Sequence, residues 1–339
     1  MRVPVIAGYA RTPFSFARKG SLAGVRPDDL AASAIRALVE RSGLDPALIE
    51  DVLMGCAYPE GSQGDNIARI ASLLAGLPVS VPGATINRFC GSSMYAIHTA
   101  AGQIAIGGGE AFVAAGVESM TMVPQGGLNF SPNPRLSHEG DDGHTPHVRA
   151  YVTMGETAEN VAARYRISRE DQELFALHSQ QKASAAQADG RLRDEIAPVV
   201  LPDGAVVEVD GCLRPGTTLE GLAALKPVFG GTVTAGTASP LTDGAVATLV
   251  TSEAFALRRG LPILARIVAT AVVGVDPEYM GIGPVPATRR ALDRAGVHID
   301  QIDVVELNEA FGSQALACIR ELGVDPARVN IDGGALALG

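Results

Sequence analysis

Residues 83–106 read GATINRFCGSSMYAIHTAAGQIAI, and this stretch decides the fold prediction. Gly83–Asn87 predicts a strand, and Ser92–Ile106 predicts a helix because apolar side chains recur at helical spacing. Cys90 lies between the two elements. A strand that leads into a helix is half of a βαβ unit, so we expect a parallel sheet covered by helices. The predicted buried face of this helix consists of Met94, Ile97, Ala101, Ile104 and Ala105.

The same alternation of strand and helix fills the first third of the chain. Apolar runs predict strands at 3–10, 51–57 and 111–116, and a further helix is predicted over 65–76. Another helix begins at Pro27, a residue favoured at the first helical position, and ends at Gly43. Its core face is predicted to be Leu30, Ala34, Ile35 and Leu38.

The last third repeats this order, which indicates an internal duplication. Strands are predicted at 264–275, 303–307 and 328–331, with helices at 285–296 and 310–323. The segment ERSGL (40–44) resembles DRAGV (293–297) at the matched position. The second half lacks a third crossover helix and a final strand, so we expect it to be incomplete. The predicted division is 1–118, an inserted loop region at 119–250 with a long helical stretch over 155–188, and 251–339.

Composition excludes several classes of protein. The 339 residues are 47% apolar and only 4% aromatic, which suits small-residue packing of helices on a sheet. The net charge of −10 argues against a nucleic-acid surface, which requires a basic face. The N-terminal residues show no long apolar stretch, so we expect a cytoplasmic protein without membrane contact. The four cysteines are widely separated without a CxxC motif, so no disulfide framework is expected.

Cys90 is the candidate nucleophile. Free backbone N–H groups and partial positive charge at a helix N-terminus favour a thiolate and can stabilise an oxyanion. The alternative is a buried cysteine that only packs, and this is the interpretation adopted for Cys56, Cys212 and Cys318. His98, two turns along the same helix, is interpreted as structural.

Several ordered segments carry a family resemblance. They are NRFCGSS (87–93), AGVESM (115–120), MGETAEN (154–160), ISREDQ (167–172), GTVTAGTAS (231–239), MGIGPVP (280–286), NEAF (308–311) and VNIDGGALALG (329–339). In this order they resemble the thiolases, which make and break 3-oxoacyl-CoA thioesters. The resemblance implies an α/β fold of duplicated βαβαβ halves in a layered αβαβα arrangement, with an inserted loop domain.

The resemblance also implies a function and a set of site residues. Cys90 would form an acyl-enzyme, and Asn308 would hold a water near the thioester oxygen; Asn308 is alternatively a cap of the following helix. Arg214 would bind the CoA phosphates, and Ser239 would hydrogen-bond the pantetheine arm. Met154 and Phe311 would line the pantetheine channel, and Met280 would line the acyl pocket. Coenzyme A is then substrate and product, with no tightly bound cofactor and no metal. A homodimer or homotetramer in fatty acid metabolism is implied.

Some positions depart from the family pattern. Thr237 and Pro240 stand where many thiolases have Asn and Gly, and Thr153 stands where biosynthetic relatives often have His. In the family GGAxALG is followed by His-Pro, with that His as base, and by a later Cys, so we expect about fifty residues to be absent here.

Two alternatives to an active thiolase are open, and one alternative concerns the histidine-containing loop. They are another condensing enzyme of the same fold, an inactive CoA- or acyl-binding protein or subunit, and a metal site at His138, His144 and His147. For the last, a polar loop is favoured.

Overall fold

The computed structural model describes residues 2–136 and 149–339. The strands, numbered in chain order, are β1 (Pro4–Arg11), β2 (Ser15–Phe16), β3 (Asp51–Gly55), β4 (Gly83–Ile86), β5 (Ala111–Ser119), β6 (Val199–Val200), β7 (Val206–Val207), β8 (Thr242–Ser252) and β9 (Ala265–Arg266). The α-helices are α1 (Pro27–Ser42), α2 (Ile67–Leu74), α3 (Ser92–Ile106), α4 (Met154–Tyr165), α5 (Arg169–Ala188), α6 (Leu219–Ala223), α7 (Glu253–Arg259), α8 (Pro284–Ala295), α9 (Gly312–Leu322) and α10 (Ala335–Leu338).

The chain forms two compact units, each built from separated segments. The first unit comprises Met1–Asn129, Leu192–Gly211 and Leu241–Val268. The second comprises Phe130–Arg191, Cys212–Pro240 and Ala269–Gly339. The three-part division expected from the sequence follows the internal duplication. The division into compact units does not test it, so it stays a prediction.

A seven-stranded sheet forms the centre of the first unit. Its strand order is β4-β3-β5-β8-β1-β9, with β2 pairing at β8. Strand β3 is parallel to β4 and β5, whereas β8 is antiparallel to β5 and β1. The expected all-parallel sheet is therefore wrong, and the sheet is mixed. A single crossover helix forces parallel pairing, but residues 120–241 separate β5 from β8, so no such constraint acts.

Helix α1 confirms the local sequence signals. It begins at Pro27 and ends before Gly43, which adopts a left-handed conformation with φ 64°. Leu30, Ala34, Ile35 and Leu38 are all buried in the main hydrophobic core under the sheet.

Helix α3 has the predicted bounds but only part of the predicted face. Ala101 and Ile104 are buried, joined by Ala96 and Ala100, whereas Met94 is 61% exposed. The helix meets the sheet through small residues, which permit a close approach and leave the longer Met94 outside the contact.

Among the described residues, the α-helices of the second unit are α4, α5, α6, α8, α9 and α10. The long helical stretch expected over 155–188 is divided into α4 and α5 at Arg166, whose φ is 52°. Helices α4 and α9 share a core of Val161, Ile167 and Ala317, and α5, α6 and α10 share one of Ala176, Leu222 and Leu336.

Three predicted strands of the second half are largely absent from the described residues. Of residues 264–275 only Ala265–Arg266 form a strand, paired with β1 in the first unit. Residues 303–307 and 328–331 meet in one isolated parallel bridge, Val305 with Val329. A strand needs a continuous ladder to a neighbour, and an apolar run alone does not supply it.

No helix among the described residues is long and apolar enough to cross a membrane.

Candidate active site

Cys90 lies in a single 3-10 turn, Phe89–Gly91, that joins β4 to α3. The turn is strained, because Phe89 has a φ of 45°, a conformation that a bulky side chain rarely adopts. Local hydrogen bonds hold it: the N–H of Phe89 donates to Asn87 Oδ1 at 2.8 Å, and the Ser92 hydroxyl donates to the Phe89 carbonyl at 2.6 Å. The sequence NRFCGSS therefore encodes both the strained turn and the groups that stabilise it.

Two glycines place this turn against the sheet. A Cβ atom on Gly55, at the end of β3, would lie 2.3 Å from the Ser93 nitrogen and 2.4 Å from the Ser92 carbonyl carbon. A Cβ atom on Gly116, opposite Gly55 on β5, would lie 2.6 Å from Ser93 Cβ. The first turn of α3 thus rests directly on the backbones of β3 and β5, and this contact determines where Cys90 lies.

The pKa of the Cys90 thiol is raised, which corrects the expectation of a favoured thiolate. Cys90 is exposed by surface area, yet enough protein surrounds it for desolvation to be the largest cause of the raised pKa. Its own backbone N–H acts in the expected, lowering direction, and the charge of Glu118 adds to the rise. Burial raises the pKa of Cys56 to about 12 and that of Cys318 to about 11.

Glu118, named by the sequence only as part of a motif, has a carboxylate surrounded by donors. It accepts hydrogen bonds from the Ala57 N–H at 2.7 Å, the Gln63 amide at 2.7 Å and the Tyr58 N–H at 3.4 Å. Gln63 is fully buried and accepts from the Ser119 N–H at 2.6 Å. Desolvation raises the pKa of Glu118, and the donors partly offset that rise.

In the second unit, the segments carrying Ser239 and Asn308 lie side by side. The Ser239 N–H donates to the Ala310 carbonyl at 3.0 Å, and Ala238 bridges to Phe311. Asn308 is exposed. Its alternative interpretation as a helix cap is wrong, because α9 begins at Gly312 and the N-cap residue is Phe311.

Phe229, an aromatic residue that the sequence analysis missed, lies against Phe311 and against Gly155, the residue after Met154. Phe229 packs edge-to-face on Phe311, with ring centroids 6.3 Å apart. A Cβ atom on Gly155, the residue after Met154, would lie 2.2 Å from Phe229 Cδ1. Phe229 precedes the Gly230-Gly231 pair, and no periodicity marks it as a site residue.

Arg214 and Met280 occupy other positions in the second unit. Arg214 is exposed, and its backbone N–H donates to Gln180 Oε1 on α5 at 2.9 Å. Met280 is 40% exposed in the 3-10 segment Pro277–Ile282. The adjacent Gly281 is packed on α9, since a Cβ there would lie 2.9 Å from Gln314 Cγ.

Glu309 is a second buried carboxylate, next to Asn308. Its oxygens accept from the Ser179 hydroxyl at 2.6 Å, the Asn330 amide at 2.8 Å and the Leu336 N–H at 3.1 Å. These bonds fasten the glycine-rich segment 333–339 to α5. The sequence analysis quoted the NEAF segment without assigning a role to Glu309.

The proposed metal alternative lies at His138, His144 and His147, outside the described residues. Within residues 2–136 and 149–339, no group of three or more His, Cys, Asp or Glu side chains is arranged to hold a metal ion.

Comparison with known proteins covers the whole chain. The thiolase N-terminal domain model matches residues 4–254, and the thiolase C-terminal domain model matches residues 261–339. The chain is 47% identical over 354 residues to a 3-ketoacyl-CoA thiolase of Pseudoalteromonas translucida (strain TAC 125), covering 100% of this chain and 88% of that protein.

Two further relatives are similarly close. An acetyl-CoA acetyltransferase of Pseudomonas aeruginosa is 47% identical over 352 residues, with 100% of this chain and 88% of that protein covered. A beta-ketoadipyl-CoA thiolase of Escherichia coli is 48% identical over 359 residues, with 100% and 89% covered. The chain spans 88–89% of the length of these three relatives.

Proposed function

Because this chain belongs to the thiolase family, we propose that its acyl transfer proceeds through a thioester on Cys90. The chain is a thiolase-type acyltransferase and has the thiolase fold. The observation that supports Cys90 is its position on a strained, exposed turn directly before α3. The other two cysteines with raised pKa values, Cys56 and Cys318, are buried.

In the proposed first step the Cys90 sulfur attacks the thioester carbonyl of an acyl-CoA. In synthesis the new carbon–sulfur bond forms as the bond to CoA breaks, and CoA leaves as its thiol with the proton from Cys90. The acyl group then passes to the carbanion that a second acyl-CoA forms by losing a proton. In the degradative direction the Cys90 sulfur instead attacks the 3-oxo carbon of a 3-oxoacyl-CoA, the adjacent carbon–carbon bond breaks, and acetyl-CoA leaves with the proton from Cys90. The remaining acyl group then passes to the sulfur of a free CoA, whose proton returns to Cys90. Two such transfers replace one difficult step, which is the advantage of covalent catalysis.

Backbone amides at the start of α3 are suited to the charge that develops on the carbonyl oxygen. The first N–H groups of a helix have no intrahelical acceptor, and they carry partial positive charge. Donors of this kind lower the barrier when they point at the developing oxyanion. Asn308, by the family resemblance, is proposed to hold a water.

The proposed CoA contacts all lie in the second unit. Arg214 is exposed on a loop and is proposed to meet the CoA phosphates, while Ser239 bonds the pantetheine arm. Met154 and Phe311 are proposed to line the channel, and the packing of Phe229 against Phe311 and Gly155 supports this grouping. Met280 is proposed for the acyl pocket.

The wider setting is also a proposal. The 3-ketoacyl-CoA and beta-ketoadipyl-CoA names of relatives support a 3-oxoacyl-CoA substrate. We infer a cytoplasmic homodimer or homotetramer in fatty acid metabolism, with CoA as substrate and no tightly bound cofactor. The alternative of an inactive CoA- or acyl-binding protein is not favoured, because the relatives carry enzyme names.

Trapping the acyl-enzyme tests this proposal. The protein is incubated with acetyl-CoA, quenched in acid and digested, and the acetylated peptide is identified by mass spectrometry. We expect the acetyl group on Cys90, no adduct in Cys90→Ala, and a normal adduct in the control Cys318→Ala, which lacks a buried cysteine of α9. An acetyl group on another cysteine, or an undiminished adduct in Cys90→Ala, would refute the assignment.

A further inference from the structure

Glu118 is a buried titratable group that the proposed reaction does not use. It stands at the end of β5, and its donors are the Gln63 amide, two backbone N–H groups and the Cys56 thiol, whose sulfur lies 3.9 Å from Oε1. An ionised carboxylate accepts from all of them, whereas a protonated one would turn a donor toward other donors. The hydrogen bonds therefore favour the negatively charged form.

A continuous series of hydrogen bonds connects Glu118 to the nucleophile turn. Glu118 Oε2 accepts from the Ala57 N–H at 2.7 Å, and the Ala57 carbonyl accepts from the Asn87 amide at 2.9 Å. Asn87 Oδ1 in turn accepts from the Phe89 N–H at 2.8 Å. Phe89 directly precedes Cys90 and has the strained φ of the turn.

An aromatic contact runs parallel to this series. The Tyr58 and Phe89 rings lie 6.0 Å apart between centroids at 54°. The Tyr58 backbone N–H points at Glu118, and the Tyr58 carbonyl accepts from Gln63 at 2.8 Å. The segment 56–58 is thus fixed from one side by Glu118 and Gln63, and its other side supports the strained turn.

We propose that Glu118 is a positioning residue for Cys90, which holds the 56–58 segment under the nucleophile turn. This inference rests on the proposed role of Cys90. Glu118 stabilises the strained turn, because backbone strain of this kind persists only where the surrounding contacts hold the conformation in place. Desolvation is the largest cause of the raised pKa of the Cys90 thiol, and the charge of Glu118 adds to that rise.

Two other titratable groups on neighbouring elements, Cys56 and His98, also have shifted pKa values, and neither shift changes the expected effect of Glu118 on Cys90. Burial raises the pKa of Cys56, after β3, to about 12, above the range of interest. Burial and the charge of Arg88 lower the pKa of His98 on α3, below that range. The Arg88 guanidinium stacks on the Tyr95 ring, with its Cζ atom 4.1 Å from the ring centroid.

Two substitutions separate position from charge. Asn87→Ala breaks the hydrogen-bond series at an exposed side chain and leaves Glu118 charged. Glu118→Gln removes the charge and places an amide NH₂ against existing donors. We expect both to lower acyl-transfer turnover, by about 10- to 100-fold, since a displacement near 1 Å costs on this scale. Only Glu118→Gln should change the pH profile of Cys90 alkylation by iodoacetamide.

The direction of that change follows from the charge. Without the negative carboxylate the Cys90 thiolate forms at lower pH, so alkylation at neutral pH should become several-fold faster. A thiolate of lower pKa is a weaker nucleophile, but this offsets only about half of the gain in thiolate fraction. Turnover thus falls while alkylation rises in Glu118→Gln. Asn87→Ala loosens the same turn but keeps the charge, so it should lower turnover and leave the alkylation profile unchanged; faster alkylation in both variants would show that loosening of the turn is the cause.

Glu60→Gln is the matched control. Glu60 also accepts backbone N–H groups, from Leu128 at 2.8 Å and Asn129 at 3.2 Å, and its charge is not among the causes of the Cys90 pKa. It should behave as the unsubstituted protein in both assays. Unchanged turnover in Glu118→Gln, or an alkylation profile like that of Glu60→Gln, would overturn the inference. Acetyl mapping of the unsubstituted protein is run alongside: an adduct on another cysteine contradicts the proposed function instead.

Discussion

Replacing Gly55 by alanine should displace the nucleophile turn, because the contact between β3 and α3 has no room for a methyl group. The added Cβ would lie 2.3 Å from the backbone nitrogen of Ser93. An ordinary contact begins at 3.4 Å, so the first turn of α3 has to move by about 1.1 Å. Backbone atoms cannot rotate away as a flexible side chain can.

The expected losses are separable. Overpacking of this kind costs about 1–3 kcal/mol of the free energy of unfolding. A displacement near 1 Å at the reacting sulfur lowers turnover by about 10²-fold. Gly116→Ala should be milder, since its Cβ would meet the Ser93 side chain at 2.6 Å.

The assays are urea unfolding and thiolysis of acetoacetyl-CoA per folded molecule. Gly102→Ala is the control, because it adds the same methyl within α3 where nothing lies within 4 Å. That substitution should stabilise the protein by about 0.4–1 kcal/mol and leave turnover intact. If Gly55→Ala matched the unsubstituted protein in both assays, the contact at Gly55 would not determine the position of Cys90.

Three other outcomes are expected. Iodoacetamide should label Cys90 before Cys56 and Cys318, because burial raises the pKa of those two thiols to about 12 and about 11. A thiol reacts as its thiolate, so the rate of Cys90 alkylation should rise with pH, and the midpoint of that rise should lie above the ordinary thiol pKa. Peptide mapping that finds either buried cysteine labelled first contradicts this. Arg214→Ala should weaken CoA binding in a salt-sensitive way, with little change in Tm, since the residue is exposed; equal calorimetric titrations at low and high salt would remove its assignment. Glu309→Ala should cost about 3 kcal/mol or more in urea unfolding, because three buried donors lose their acceptor. A loss below 1 kcal/mol, on the order of an exposed carboxylate, would show that water replaces those bonds.

Local structure was predictable wherever neighbours in the sequence decide it. The bounds of α3 match the prediction, and α1 begins at the predicted Pro27. Helical spacing, a proline in the first turn and a glycine after the last turn all act within a few residues. The position of Cys90 between β4 and α3 was predictable for the same reason, and the ordered motifs identified the family.

Other features depend on residues distant in the sequence, and only the tertiary structure decided them. Strand β8 lies in the segment expected to be an insertion, yet it pairs with both β5 and β1, because strand order and direction depend on partners over a hundred residues away. The Cys90 pKa is raised although its helix position lowers it, since desolvation and the Glu118 charge outweigh a local dipole. Phe229 packs on Phe311 although more than eighty residues separate them in the sequence. Spacing along a chain determines periodicity and caps, whereas pairing, desolvation and charge act through space.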